Sequence, residues 1–482
     1  MARRVAVVPH THWDREWYSP FQTFRLRLVE LLDDLLPRLE ADPSYAHFLL
    51  DGQMAVVDDY LAIRPEAEER LRRLAASGRV AMGPWYVLMD EFLVSGETIV
   101  RDLQLGLDRA ARFGGAMAVG YLPDMFGHIA QMPQILRQFG FADAVVWRGV
   151  PSQVQRTAFW WSSPDGSAVR AEYLPTGYGN GAVLPDDAKG LIERLNGWIE
   201  AQQSLVAPDD AILIMNGSDH LSPQGFLGPV VAEANALQDE LDIEVMSLAT
   251  YLATASREAL PLWQGELRSG ARANLLMGVA SNRADVRRAA AATERSLERL
   301  AEPLSALLLP ADAWPEALLD EAWLEVIRNA AHDSICACSV DEVCDAVLHR
   351  FAQARQIAEG LTQRAVRTLG NNLAHSGPVA INPSARVRSG LVTITVDADI
   401  AADAHGQVLR QLGGARMLWE MPAANAAAVL RDVIEWTTGL YHIDVERHDD
   451  ESVDVRAYAA PGAPRLVTQP VKAHIAERPE TH

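Results

Sequence analysis

Four apolar runs in the first half of this chain are each followed at once by side chains able to do chemistry. VAVV at 5–8 runs into HTHWD, MAVGYL at 117–122 into PDMFGH, DAVVW at 143–147 into an Arg-Gly pair, and AILIM at 211–215 into NGSDH. Further strand-like runs are FLL at 48–50, RVAMGPW at 79–85 and IEVM at 243–246. Stretches of helical periodicity lie between them, at 26–40, 65–77, 97–114 and 129–140. AFWWSSPDGSAVRAEYL at 158–174 reads as a hairpin turning at Pro164, Asp165 and Gly166. Strand and helix in alternation with short connections predict an α/β domain, open-barrel-like, with mainly parallel strands. Parallel strands bring their carboxyl ends to one rim, so four motifs remote in sequence are expected to meet there.

Three regions are expected: an α/β catalytic domain over 1–255, a helical bundle over 256–370 and a β-sandwich-like region over 371–482. The bundle rests on Ala-, Leu-, Glu- and Arg-rich segments at 287–309, 316–333 and 340–369. PVAINPSARVRSGLVTITVDAD, from 378, alternates like strands, and the final residues read as a loose tail. A formal net charge of −21 disfavours nucleic acid, anionic membranes and phosphate-rich substrates, whereas neutral ligands such as sugars fit. The three cysteines, Cys336, Cys338 and Cys344, are clustered and odd in number, as expected of a reducing compartment. The amino-terminal apolar stretch is too short for a signal peptide, and no segment has the ~18 apolar residues of a membrane span. A cytoplasmic protein is expected.

The residue types on the rim point to a metal. His12 and Asp14 are two apart in an extended segment, so their side chains leave it on the same side. Asp124 offers a second carboxylate, and His332, in AAHDSICACS, a second imidazole from the helical region. Two histidines and two aspartates suit Zn²⁺ best, with Mn²⁺ or Co²⁺ as alternatives. Cys336 and Cys338 have no second pair and read as small buried side chains. Plainer readings exist for each residue taken singly. Asp124 fits an N-cap, Asp219–His220 an Asx-turn, His332 the carboxyl end of a helix, and Trp160 and Trp161 the core. Four motifs at four strand ends are hard to obtain from unrelated loops.

Together the motifs resemble glycoside hydrolase family 38, the zinc-dependent α-mannosidases, and particularly its bacterial branch. The matching stretches are HTHWDREWY, LLDGQ, GPWYV with DEFLVSGE, GYLPDMFGHIAQMPQIL, VVWRGV, LIMNGSDHLSPQ, GELRSGARANLLMGVASNR and NAAHDSICACSVDEV, in that order between residues 5 and about 370. The resemblance implies one zinc ion held by His12, Asp14, Asp124 and His332. It makes Asp124 also the nucleophile and Asp219 the acid/base of a retaining double displacement. Trp17 and Phe126 would wall the sugar ring, Asp333 would accept from its hydroxyls, and Arg148 and Tyr178 would steady nucleophile or substrate. The substrate would be a small mannoside or oligosaccharide. The family's β-sandwich region is longer than the one here, which puts full turnover in question and makes self-association into a homo-oligomer an expectation. Two other readings stand beside it: a metal-dependent polysaccharide deacetylase, and a catalytically weak carbohydrate-binding or assembly subunit.

Overall fold

The computed structural model describes residues 2–207, 210–373 and 379–390, with three strands between 416 and 459. The chain divides into two compact units, Met1–Arg388 and Ser389–His482. In the first unit the strand-forming runs become β1 (Arg3–Thr11), β2 (Phe48–Leu50), β3 (Val80–Ala81), β4 (Gly120–Leu122) and β5 (Asp143–Val146). The hairpin β6 (Ala158–Ser162) and β7 (Ala168–Tyr173) follows, then β8 (Ile212–Asn216), β9 (Leu241–Val245) and β10 (Leu262–Gln264). β1 is the hub of one sheet, paired in parallel with β8 along residues 5–9, with β9 along 3–7 and with β2 at 10–11. The second sheet runs β10-β6-β7-β5-β4, parallel except between the two arms of the hairpin. This is the expected α/β class with mainly parallel strands.

Side-chain alternation places the core. Val5 and Val7 pack outward, among the helices, with Ile212 and Ile214. Ala6 and Val8 pack instead with Leu213, Met215, Tyr121 and Val145, residues drawn from both sheets. That second cluster fills the space between the sheets. With both faces covered, these strands are apolar throughout rather than alternating, which is why their sequences read as unbroken runs. Helix Phe21–Ala41 covers the outside with Phe24, Leu28, Leu31, Leu32, Leu35, Leu36 and Leu39, a stripe at helical spacing. Each such side chain contributes roughly 1.5–3 kcal/mol on burial.

Helices Ala55–Leu61, Ala188–Ala201, Leu227–Leu237 and Leu248–Thr254 also form, outside the stretches of helical periodicity given above. In Ala188–Ala201 only Ala188, Leu191, Leu195 and Trp198 are buried, a thin stripe interrupted by Gly190 and Gly197. In the helical region, Ala284–Ser296 passes through a π-helical turn, Leu297–Ala301, into Glu302–Leu308, as expected for 287–309. Helix Asp341–Asn372 presents Val343, Val347, Phe351, Ala354, Ala358, Leu361 and Ala365 inward. The helix expected over 316–333 stops earlier, at Ala330, and a separate short helix, His332–Cys336, begins two residues later. Ala331 leaves the helical conformation (φ −44°, ψ 131°) and forms an antiparallel bridge with Met89.

Residues 379–390, the described start of the expected strand pattern, carry no strand. Alternation permits pairing but supplies no partner. Beyond them the second unit contains an antiparallel sheet in the order β11-β13-β12, formed by β11 (Arg416–Ala423), β12 (Leu440–Arg447) and β13 (Val453–Ala459). The expected loose tail lies outside the described residues.

Candidate active site

The loop after β1 and the loop after β8 run side by side. His12 N donates to the Ser218 carbonyl (3.2 Å), and His220 N donates to the His12 carbonyl (2.9 Å), which sets Asp219 beside His12. Gly217 makes this approach possible, because a Cβ there would stand 1.9 Å from the His10 carbonyl oxygen. Gly217→Ala is therefore expected to lower stability by roughly 1–3 kcal/mol, read as a drop in Tm. An unchanged Tm would mean the two loops part without cost.

His12 continues the register of Ala6 and Val8, so its ring stands at the upper end of the space between the sheets. Asp124 follows β4 and is held from two sides: Arg148 Nε donates to Oδ1 at 2.6 Å, and the Tyr178 hydroxyl to Oδ2 at 3.2 Å. The far end of its loop is fixed by the buried Glu91, which accepts from His128 Nδ1 at 2.6 Å and Ile129 N at 2.9 Å. His332 comes from the helical region but is clipped to the α/β region, since the Leu88 carbonyl accepts from both its backbone N (2.9 Å) and its Nδ1 (3.0 Å). The plainer reading of His332, a side chain ending a helix, fails because it starts one.

These elements bring four donors together. His12 Nε2 lies 3.2 Å from Asp14 Oδ1 and 3.9 Å from Asp124 Oδ2, and His332 Nε2 lies 3.3 and 3.8 Å from the same two oxygens. Donors ~2.0–2.2 Å from a tetrahedral zinc stand roughly 3.3–3.6 Å apart; the two contacts to Asp14 come within 0.1 Å of that range, and the two to Asp124 are 0.2–0.3 Å longer. The tautomers fit such an ion. His12 gives its Nδ1 proton to Asp51 (3.1 Å to Oδ1) and His332 gives its own to Leu88, leaving both Nε2 lone pairs facing carboxylate oxygens. Lone pairs confronting one another in a buried site need a cation or a proton between them. His12 Nε2 has no hydrogen-bond partner among the described residues.

Electrostatics point the same way. Burial opposes protonation of both rings, but Asp51 and Asp14 outweigh it at His12, whose pKa is raised well above the ordinary value. At His332 burial is outweighed by Asp333, Asp14 and Asp124, and the pKa is raised to about 10. A field able to hold protons there also attracts a divalent cation. Asp124 is raised by burial, against the pull of His332, Arg148 and His12. Burial pushes Asp333 up to about 8, against the pull of His332.

A cleft of about 530 Å³ opens over the donors, and Asp14, Trp17, Asp124, Phe126, Arg148, Tyr178, Asp219 and Asp333 all line it. Every residue singled out for the site is thus at the cleft or, for His12 and His332, in the donor cluster beside it. The Arg148 guanidinium stacks on Trp147, 3.9 Å from its ring centroid. The Tyr178 hydroxyl touches both carboxylates, 3.2 Å from Asp124 Oδ2 and 2.8 Å from Asp219 Oδ1. Burial and the two neighbouring carboxylates raise its pKa, so it remains a donor. Cys336 is buried as expected, but Cys338 lines the cleft, its Sγ 2.9 Å from Asp333 Oδ1. Trp161 is buried core, as expected, with Nε1 donating to the Gly265 carbonyl. Trp147, Leu276 and Cys338 also line the cleft and Asp51 stands behind His12, none of them among the site residues expected from the sequence.

Residues 2–266 match the family model described as "Glycosyl hydrolases family 38 N-terminal domain", and residues 274–369 that of the "Alpha mannosidase middle domain". The chain is 34% identical over 372 residues to a protein of Halalkalibacterium halodurans described as "Putative mannosylglycerate hydrolase", a match covering 73% of this chain and 41% of that one. It is 25% identical over 384 residues to Alpha-mannosidase 2C1 of Homo sapiens, covering 76% and 35%. The crystal structure of an alpha-mannosidase from Enterococcus faecalis V583 superposes with a TM-score of 0.78 at 27% identity, covering 95% of this chain and 54% of that one. The chain therefore spans about half or less of the length of these relatives.

Proposed function

The chain belongs to glycosyl hydrolase family 38, and from that membership we infer that it is a retaining α-mannosidase acting on small mannosides. The observation that carries this reading is the meeting of two imidazole nitrogens and two carboxylate oxygens, from residues 12 to 332, under a cleft that also holds a separate carboxylate. His12, Asp14, Asp124 and His332 would hold one Zn²⁺, with Co²⁺ or Mn²⁺ as substitutes. Bound there, the ion would supply Lewis-acid polarisation of the substrate's oxygens and help to orient the sugar.

The chain's own residues do the rest. Asp124 attacks the anomeric carbon while Asp219 gives its proton to the departing oxygen, and a mannosyl ester forms on Asp124. Asp219 then takes a proton from water as that water releases mannose, restoring both carboxyl groups. Arg148 and Tyr178 donate to Asp124 and aim it. Because one hydroxyl bonds to both carboxylates, they stand within two hydrogen-bond lengths of each other. With contacts of 3.2 Å to Asp124 Oδ2 and 2.8 Å to Asp219 Oδ1, these two oxygens are at most 6.0 Å apart, short of the ~6.5–9.5 Å of inverting enzymes, which supports the retaining reading. Trp17 and Phe126 give apolar walls to the sugar ring, and Asp333 accepts from its hydroxyls.

Asp219→Ala tests the acid. Hydrolysis of mannosides with poor leaving groups is expected to fall by roughly 10²–10⁴, while activated aryl mannosides lose far less in the first step. Equal losses on both would place the acid elsewhere. Mannosylglycerate belongs among the substrates assayed, given the description of the Halalkalibacterium relative. No helix among the described residues is long and apolar enough to cross a membrane. The free cysteines support a cytoplasmic location.

A further inference from the structure

Asp51 closes β2 and is fully buried. Its carboxylate accepts from His12 Nδ1 (3.1 Å to Oδ1), and from the Trp13 backbone N (2.7 Å) and Gln53 Nε2 (2.8 Å) at Oδ2. Gln53 Nε2 also donates to the Trp13 carbonyl at 2.7 Å. The backbone that carries this arrangement is unusual. Asp51 has φ +50°, a left-handed conformation that a non-glycine residue keeps only when its contacts hold it there. Gly52 follows at φ +65°, and a Cβ on it would stand 2.8 Å from Tyr121 Cδ1, so the turn is pressed against β4, which leads to Asp124.

We propose that Asp51 is a positioning residue for His12, fixing its ring in the tautomer that turns Nε2 towards Asp14 and Asp124. A turn residue needing only local satisfaction has no use for an imidazole 39 positions away. Here the carboxylate grips that imidazole together with the backbone of the next residue, so ring and main chain are held as one piece. The negative charge also makes the imidazole a stronger donor to a cation, as buried carboxylates do behind ligating histidines. The proposal rests on the zinc reading above.

The test compares zinc affinity in chelator-stripped wild type, Asp51→Asn and Asp51→Ala, measured by competition with a chromophoric chelator alongside thermal melts. Asparagine keeps an acceptor for Nδ1 without the charge, whereas alanine removes both. The Kd for zinc is expected to rise about tenfold in the first and up to about 100-fold in the second. Saturating zinc should return Asp51→Asn to activity on an aryl α-mannoside with its KM unchanged. A merely structural role would lower the Tm of the unloaded variants and leave the Kd of every folded one equal to wild type, which overturns the proposal. If the alanine variant does not fold, the asparagine variant decides alone, by the same criterion. A wild type that takes up no zinc overturns the zinc reading and this proposal with it, a result distinct from equal affinities.

Discussion

Asp124→Asn is expected to lower hydrolysis of an aryl α-mannoside by about 10⁴–10⁶, the range seen when a covalent nucleophile is removed. The carboxamide nearly matches the carboxylate in shape, so the loop between β4 and His128 should remain folded, anchored by Glu91. Asp124 also belongs to the donor cluster, so the loss needs dividing between two roles. A fluorinated mannoside that forms the ester but releases it slowly does this, because wild type should gain the sugar's mass on the peptide containing Asp124. A metal-dependent deacetylase would hydrolyse an amide through activated water and leave Asp124 unlabelled. A binding subunit would have no activity for the substitution to remove.

Loss of the cation is expected to have an effect of similar size. Chelation should abolish activity on the same substrate, with Zn²⁺ or Co²⁺ restoring it, and His332→Ala should bring zinc content close to the apo level. Full occupancy in that variant would remove His332 from the ligand set. Protons compete in a direction that can be worked out. In the unloaded protein His332 has its pKa raised from 6.5 to about 10, because Asp333, Asp14 and Asp124 outweigh burial. A raised histidine pKa stabilises the unloaded fold fully below about pH 6.5, and this contribution is lost as the pH rises through about 10. Zinc uptake near neutral pH must therefore displace a proton, and affinity should weaken as the pH falls. The checking measurement is calorimetric zinc titration in buffers of different ionisation enthalpy. A binding enthalpy independent of the buffer would contradict proton release.

Much of the site was legible in the sequence because parallel strands convert order along the chain into position on a rim. His12, Asp124, Arg148 and Asp219 each follow a strand end that could be read from a short apolar run. Asp51 obeys the same rule, since it follows FLL as His12 follows its own strand. Its partner His12 lies 39 positions away, so nothing local in the sequence marks Asp51 as more than part of the LLDGQ stretch. The nearness of His332 to the rim is not a local property. It depends on the pairing of Ala331 with Met89 and on the Leu88 carbonyl, contacts that span more than 240 positions. The helix expected over 316–333 breaks at the same residue, Ala331. Helix Ala188–Ala201 leaves little trace in the sequence because its buried stripe is thin and broken by two glycines. Cys338 reads as a packing residue in the sequence because nothing there shows that the chain doubles back to bring its sulfur to Asp333.

The most direct measurement is an anomalous difference map at the zinc absorption edge, from crystals grown with one equivalent of zinc per chain. The predicted result is a single peak bounded by His12 Nε2, His332 Nε2 and the carboxylates of Asp14 and Asp124. A peak elsewhere, or one that leaves out His332, would contradict the convergence of these residues on one ion.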